Sequence, residues 1–181
     1  MINLSVKKIL WTYSWLKACI IAILILPLAT NGSGNPPIKD KPNKLEQNWV
    51  GTWAAAIQLV EPGNMPPSPG LANNTIRQIV CVSKGGKTLR FRFSNDFGES
   101  PVNFGAVQIA ASAGGSSIDK ATAKYLLFNH EGNVTISPGS EVLSDPIDFD
   151  LKPRARLAIT IYFGKTPAMI TGHPGSRTTS Y

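Results

Sequence analysis

The sequence predicts an all-β fold, an antiparallel β-sandwich of jelly-roll-like form. The clearest support is the strict alternation in TLRFRF, where Leu89, Phe91 and Phe93 fall on one face of a strand and cationic side chains fall on the other. The run RLAITIYF at residues 156–163 alternates in the same way. Sixteen glycines and fourteen prolines among 181 residues favour many turns over long helices. Short strands with turns between them are typical of a sandwich.

The first half of the folded part reads as three strands. Residues 49–56 are apolar or small and predict the first strand, whereas four prolines and two glycines make residues 61–74 a loop. Residues 75–83 and 87–94 read as the next two strands. The intervening KGG predicts a hairpin between them, because glycine accepts a positive φ. The SNDFG that follows predicts a turn.

The second half adds four or five strands. Residues 102–113 predict a strand that ends at a GGSS turn, and residues 124–128 are interpreted as a short strand. Residues 133–136 and 147–151 predict strands on either side of an SPGS turn. The second strictly alternating run, at 156–163, completes seven or eight strands with no helical periodicity.

The N-terminal residues 1–30 predict a secretory signal peptide. Lys7 and Lys8 precede an apolar stretch at residues 18–29, which ends in Pro27 and small residues. The protein is therefore expected to be secreted or periplasmic. The alternative is an N-terminal membrane anchor, although residues 18–29 are shorter than the roughly 20 residues that a membrane span requires.

The remaining chain divides into a linker and one domain. Residues 31–47 are polar, rich in Pro, Gly and Asn, and predict a linker, and residues 48–181 form the predicted β-sandwich. Removal of the leader would leave Cys81 as the single cysteine, so no disulfide is expected within the mature chain. Because Cys81 lies in an apolar strand, it is expected to be buried.

The charge distribution argues against nucleic-acid binding. The net charge is +7, but Lys7, Lys8 and Lys17 contribute three of these charges in a leader that has no acidic residue, which leaves +4 for the remainder. No cluster of Lys or Arg alternates with stacking aromatic residues. We therefore expect no nucleic-acid partner.

The residues that could carry chemistry do not form a recognisable catalytic motif. The sequence has no G-x-S-x-G and no G-D-S, and its two histidines lie in loop-like stretches. His130 is expected to be a solvated loop residue, and no role is assigned to His173. Asp145, Asp148 and Asp150 could bind calcium, but a solvated strand edge explains them more simply. No catalytic residue, metal or cofactor is predicted.

Four blocks in order resemble the N-terminal, β-rich portion of secreted bacterial SGNH/GDSL-type acylhydrolases related to arylesterases. The blocks are WVGTWAAA at 49–56, the run from TIRQ to VQIA at 75–110, the run from ISPG to TIYF at 136–163, and TGHPGSRTTSY at 171–181. One departure is Cys81, where the family pattern favours histidine. In this family a G-D-S block and a D-x-x-H block supply the nucleophile and the acid–base pair, and neither block occurs in these 181 residues.

The resemblance implies that this chain is the accessory sandwich of a truncated or split ester hydrolase. The reaction would be acyl or acetyl ester hydrolysis, with carbohydrate esters among the candidate substrates, and the partner would be the missing catalytic SGNH domain. This chain alone is expected to be inactive. One alternative is a stand-alone secreted carbohydrate-binding module with Tyr125 or Tyr162 as stacking platforms. A structural domain without a small ligand is the other alternative.

Overall fold

The computed structural model describes residues 2–7 and 49–181. Within these ranges the chain forms strands and three short 3₁₀ turns and contains no α-helix, which confirms the all-β prediction. The strands are β1 (Ile2–Lys7), β2 (Trp49–Ala54), β3 (Gln58–Leu59), β4 (Thr75–Cys81), β5 (Gly86–Ser94), β6 (Val102–Gly114), β7 (Ser117–Ile118), β8 (Lys124–Tyr125), β9 (Val134–Ile136), β10 (Glu141–Leu143), β11 (Ile147–Leu151), β12 (Arg156–Phe163), β13 (Thr171–Gly172) and β14 (Thr179–Ser180). The 3₁₀ turns are Pro62–Asn64, Lys120–Thr122 and Pro174–Ser176.

Two antiparallel sheets form the sandwich. In the first sheet the strand order is β10, β5, β1, β2, and β11 also pairs with β5. In the second sheet the order is β14, β4, β12, β6, β7, and β8 and β9 pair with β6. Strands β3 and β13 form a separate two-stranded ladder at one end.

Aromatic side chains join the two sheets across the core. The ring of Phe93 in the first sheet meets the edge of Phe104 in the second, with ring centroids 5.4 Å apart. Phe104 in turn contacts Phe163 at 5.2 Å, and Phe93 contacts Phe128 at 5.8 Å. Edge-to-face pairs at these distances add to the stabilisation that burial alone provides. Aliphatic side chains from both sheets fill the rest of the core: Leu4, Val6, Val80, Leu89, Val107, Ile109, Leu157, Ile159 and Ile161.

The alternation predicted for β5 is confirmed along most of the strand. Leu89, Phe91 and Phe93 are fully buried, whereas Arg92 on the opposite face is exposed. The alternation ends at Ser94, which is also buried because the chain there turns out of the sheet. The other alternating run, β12, has the predicted bounds and is paired on both sides, with β4 and β6.

The predicted hairpin between the strands at 75–83 and 87–94 is wrong. Strand β4 belongs to the second sheet and β5 to the first, so the KGG between them crosses from one sheet to the other. Neither Gly85 nor Gly86 has a positive φ. The two glycines are instead required by close packing, since a Cβ on Gly85 would collide with the carbonyl oxygen of Leu151 and one on Gly86 would lie 2.6 Å from the Cβ of Val6.

The expected burial of Cys81 is also wrong. Cys81 is exposed, because the period of two along β4 turns Val80 and Val82 into the core and Cys81 outward. Its sulfur lies 3.7 Å from the carbonyl oxygen of Arg154.

Two shorter segments differ from the predicted strands. The predicted strand at 124–128 is limited to Lys124–Tyr125, after which Phe128 makes an isolated bridge to Glu131. Strand β10, Glu141–Leu143, follows the SPGS turn and is absent from the sequence-based prediction. The polar Glu141 and the exposed Leu143 give this short edge strand no clear hydrophobic period.

The first residues of the chain form an inner strand of the first sheet. Strand β1 pairs with β2 on one side and β5 on the other, and its Leu4 and Val6 are buried in the core. Residues 8–30 and the predicted linker at 31–47 lie outside the described residues, so the signal peptide stays a prediction. The described ranges contain no helix of the length and apolar character that a membrane crossing requires.

Asn95 fixes the turns at one end of the sandwich. Its side-chain amide donates to the carbonyl oxygens of Ser100, at 3.0 Å, and Ile136, at 3.1 Å. Its backbone carbonyl accepts hydrogen bonds from Gly98 and Gly139. The Asn95 side chain, which belongs to the turn motif SNDFG, is therefore buried and is not a solvated turn residue.

We expect Asn95→Ala to lower the free energy of unfolding by about 2–4 kcal/mol, because it leaves two buried carbonyl groups without their donor. Urea denaturation followed by tryptophan fluorescence would measure the change. Asp96→Ala is the matched control, since Asp96 is exposed and should change stability by less than about 0.5 kcal/mol. Equal effects of the two substitutions would contradict the role assigned to Asn95.

Candidate functional site

A cavity of about 690 Å³ opens between the two sheets at one end of the sandwich. Its floor is the inner face of the sheets. The floor residues are Ile76, Gln78, Phe93, Val102, Phe104, Ile161 and Phe163. The rim is formed by the proline-rich segment at 64–71 and by the segment from Thr166 to Tyr181. An apolar floor with a polar rim is typical of a small-molecule site.

The polar part of the rim is a chain of three hydrogen-bonded side chains. His173 Nδ1 lies 3.1 Å from the hydroxyl of Ser176, and that hydroxyl lies 2.9 Å from the hydroxyl of Thr178. The 3₁₀ turn Pro174–Ser176 brings the first two together, because the Ser176 backbone N–H donates to the carbonyl oxygen of His173. Arg177 then adopts a left-handed conformation, with φ of 53°, which places the Thr178 side chain beside that of Ser176.

Trp53 of β2 holds the other side of the His173 ring. The ring centroids lie 5.5 Å apart in an edge-to-face arrangement, and His173 is buried. Burial lowers the pKa of the His173 imidazole below its ordinary value, because the charged form loses more solvation than the neutral form. The neutral ring is therefore favoured, and its unprotonated nitrogen can accept a hydrogen bond from a hydroxyl group.

The arrangement lacks the third member of a catalytic triad. A serine nucleophile requires a histidine that is itself oriented by a carboxylate. Within the described parts of the chain no carboxylate is hydrogen-bonded to His173, and an aromatic ring packs against it instead. His173 and Ser176 therefore serve as fixed polar groups that can bind a ligand at the cavity rim.

The other histidine and the acidic residues lie elsewhere. His130 is in the loop after β8, as predicted, with its side chain 91% exposed and its Nδ1 3.9 Å from Asp145. The Asp145 carboxylate accepts hydrogen bonds from the backbone N–H groups of Asn129 and His130, which stabilises that loop.

A hydrogen bond from Lys152 lowers the pKa of Asp150. The described residues include no group of three or more His, Cys, Asp or Glu side chains that could bind a metal ion.

Tyr125 and Tyr162 lie on the same outer face of the second sheet. Tyr125 is paired with Gln108, and Gln108 is paired with Thr160, two residues before Tyr162. Directly paired residues share a face in an antiparallel sheet, and so do residues two apart. The two rings are 62% and 44% exposed.

The Tyr162 ring lies close to the backbone of β6. A Cβ on Gly105 would lie only 2.7 Å from Tyr162 Cδ1 and 3.0 Å from its Cε1, so one edge of the ring packs over this glycine. Sheet geometry gives a separation of roughly 12 Å between the Cα atoms of Tyr125 and Tyr162, which are two strands and two residues apart.

Models of protein families gave no match to this chain, and curated proteins gave none either.

Sequence reasoning considers His173 but misses the residues around it. In the sequence Ser176 and Thr178 stand out only as part of the TGHPGSRTTSY block, and Trp53 only as part of the first strand. A His-x-x-Ser spacing with Pro after the histidine indicates a tight turn, which is the available signal for the contact between His173 and Ser176. The contact with Trp53 joins residues far apart in sequence and has no local signal.

The pKa shift of His173 predicts a loss of stability in mild acid. The unfolded chain binds a proton at His173 at pH values where the folded chain does not, so the free energy of unfolding decreases as the pH falls below about 6.5. Urea denaturation across this range would measure the slope.

His173→Gln should reduce that slope, because it removes the group that gains a proton on unfolding. A slope that persists undiminished in His173→Gln would contradict the assignment.

Proposed function

We propose that this chain is the accessory β-sandwich domain of a secreted SGNH/GDSL-type ester hydrolase. In this proposal a separate catalytic SGNH domain supplies the serine nucleophile and the acid–base pair, and the reaction is hydrolysis of acyl or acetyl esters, with carbohydrate esters as candidate substrates. The sandwich supports the catalytic domain or contributes to its substrate cleft.

The observation that supports the proposal is the convergence of the resembling blocks at the cavity. The first block contributes Trp53, which contacts His173 of the last block. The second and third blocks contribute Phe93 and Ile161 to the cavity floor, and the last block contributes Ser176 to its rim. Segments of the last three blocks thus line one opening, and the first block packs against His173 at its rim, as expected for segments that together form one binding surface.

The last block is also bound to the sandwich. Strand β14 pairs with β4, and the backbone groups of Tyr181 and Arg77 exchange two hydrogen bonds of 2.9 Å. In the resembling enzymes this block leads into the catalytic half. The same connection here would place a catalytic domain beside the cavity rim.

The proposal predicts that the coding sequence contains a reading frame, beyond the Tyr181 codon or shifted from it, that encodes G-D-S and D-x-x-H blocks. Sequencing the transcript and its genomic neighbourhood would test this. The absence of such a frame would contradict the accessory-domain proposal and favour a stand-alone module.

The 181-residue chain itself should not hydrolyse p-nitrophenyl acetate above the rate in buffer, because no carboxylate in the described residues is hydrogen-bonded to His173 beside the Ser176 hydroxyl. A chain joined to the catalytic half should show an esterase rate that is abolished by substitution of the G-D-S serine and retained in Ser176→Ala. An inhibitor-sensitive rate in the 181-residue chain that is lost in Ser176→Ala would instead place the active site at the rim.

The second candidate function is carbohydrate binding by the outer face of the second sheet. Two exposed tyrosines on one face, one of them packed over Gly105, present stacking surfaces to a glycan. Thr160 and Gln108 lie between them and supply hydrogen-bonding groups. This face is distinct from the cavity between the sheets.

If this face binds glycans, Tyr125→Ala and Tyr162→Ala should each weaken retention on the recognised polysaccharide by about fivefold or more. Affinity electrophoresis in gels that contain plant or bacterial polysaccharides would measure the retention. Phe97→Ala is the control, because Phe97 is an exposed aromatic residue in the loop between β5 and β6 and lies outside this face. No retention on any polysaccharide would exclude this function.

A further inference from the structure

The position of β1 defines a groove between β2 and β5 that holds one strand. Backbone pairs run from Ile2–Phe93 to Val6–Leu89 on one side and from Asn3–Ala54 to Lys7–Trp49 on the other. Leu4 and Val6 enter the core and are no more than 2% exposed. Without an occupant, β2 would lose its partner in this sheet, since β1 joins it to β5.

The groove has room for a side chain at the Val6 position because residue 86 is glycine. Gly86 faces Val6 so closely that a Cβ on it would lie 2.6 Å from the Val6 Cβ. A Cβ on Gly86 would therefore clash with any side chain at that position. Gly86 belongs to β5, which forms one side of the groove, and not to β1.

The outer face of the groove fits β1 poorly. In the described residues two buried side-chain atoms have no hydrogen-bond partner, Asn3 Oδ1 and Arg90 Nε, and both lie at the pairing of β1 with β5. Buried polar atoms without partners are rare in folded proteins and lower stability. Arg90 is directly opposite Ser5, whose short side chain carries no charge.

The Arg90 guanidinium is nevertheless held in place above the strand. Its Cζ lies 5.0 Å from the centre of the Trp49 ring on β2, which is on the far side of β1. Arg90 therefore extends across the occupant of the groove at the Ser5 position. A carboxylate at that position would meet the unpartnered Nε and the positive charge.

We propose that the groove between β2 and β5 is a binding site for an extended segment of another polypeptide with the pattern apolar–acidic–apolar. Its two apolar residues would take the places of Leu4 and Val6, and its acidic residue would take the place of Ser5 and pair with Arg90. In the structure, β1 of the same chain occupies the groove. Addition of a strand to a sheet is a common mode of peptide recognition, with backbone hydrogen bonds providing affinity and alternate side chains providing specificity.

Strands β1 and β2 are far apart in the sequence although they are paired in the sheet. Roughly forty residues separate the paired ends Lys7 and Trp49, so the pair is not a two-residue hairpin. The predicted removal of residues 1–30 would empty the groove, although the proposal does not require it.

The test uses the full chain with Leu4→Asp and Val6→Asp, which prevents β1 from entering the core. Binding of fluorescein-labelled INLSVK, INLEVK and INLKVK would be measured by fluorescence anisotropy. INLEVK should bind about two- to fivefold more tightly than INLSVK, and INLKVK more weakly than both, as expected for cross-strand charge pairs. Adding Arg90→Gln to this variant should abolish the preference for INLEVK. Adding Gly86→Ala should weaken the binding of all three peptides.

A control peptide distinguishes binding in the groove from nonspecific association. The peptide INDSDK should not bind, because its aspartates cannot enter the core. No binding of any peptide to the folded protein, or a preference for INLEVK that survives Arg90→Gln, would overturn the proposal. Dimerisation of the unsubstituted chain that excess INLEVK does not reverse would indicate that β1 of a second copy is the true occupant.

A second measurement applies if the double-aspartate variant does not fold. Ser5→Glu and Ser5→Lys in the otherwise unchanged chain place each charge at the same position in cis. Ser5→Glu should raise the urea midpoint above that of Ser5→Lys, and added salt should reduce the difference. The difference should disappear in the Arg90→Gln background. Equal midpoints for Ser5→Glu and Ser5→Lys at low salt would overturn the proposal.

Discussion

The structure depends on burying one face of β5. Leu89, Phe91 and Phe93 form the aromatic and aliphatic centre of the first sheet, and Phe93 also contacts Phe104 across the core. Strands β1, β10 and β11 all pair with β5, so the register of each is set by which face of β5 must be covered. A shift of one residue would turn these three side chains to solvent and bring Arg90 and Arg92 inward.

The sheet geometry produces two of the three surfaces for which we propose a role. The cavity lies between the sheets at the end where Phe93, Phe104 and Phe163 meet, and the rim residues surround its opening. The strand groove exists because β5 and β2 are not adjacent and need a strand between them. One site is therefore a gap between sheets, and the other is a position within a sheet.

The all-β class and most strands could be predicted from the sequence because a period of two is a local property. The bounds of β12 are predicted as observed, and those of β5 nearly so. The crossing between sheets at Gly85 could not be predicted, because glycines that avoid a clash with Leu151 look the same in sequence as glycines in a hairpin. The exposure of Cys81 follows from its place between Val80 and Val82, which both face the core. Because the strand is mostly apolar, this alternation is difficult to recognise in the sequence.

The inner position of β1 has a consequence for the time course of synthesis. Ile2–Lys7 is made before its pairing partner β5, which is complete only when Ser94 has been added. At bacterial or eukaryotic translation rates this interval is roughly 5–20 s. During it Leu4 and Val6 have no core to enter, so the nascent chain would carry an unpaired apolar strand that chaperones can bind before the sandwich closes around it.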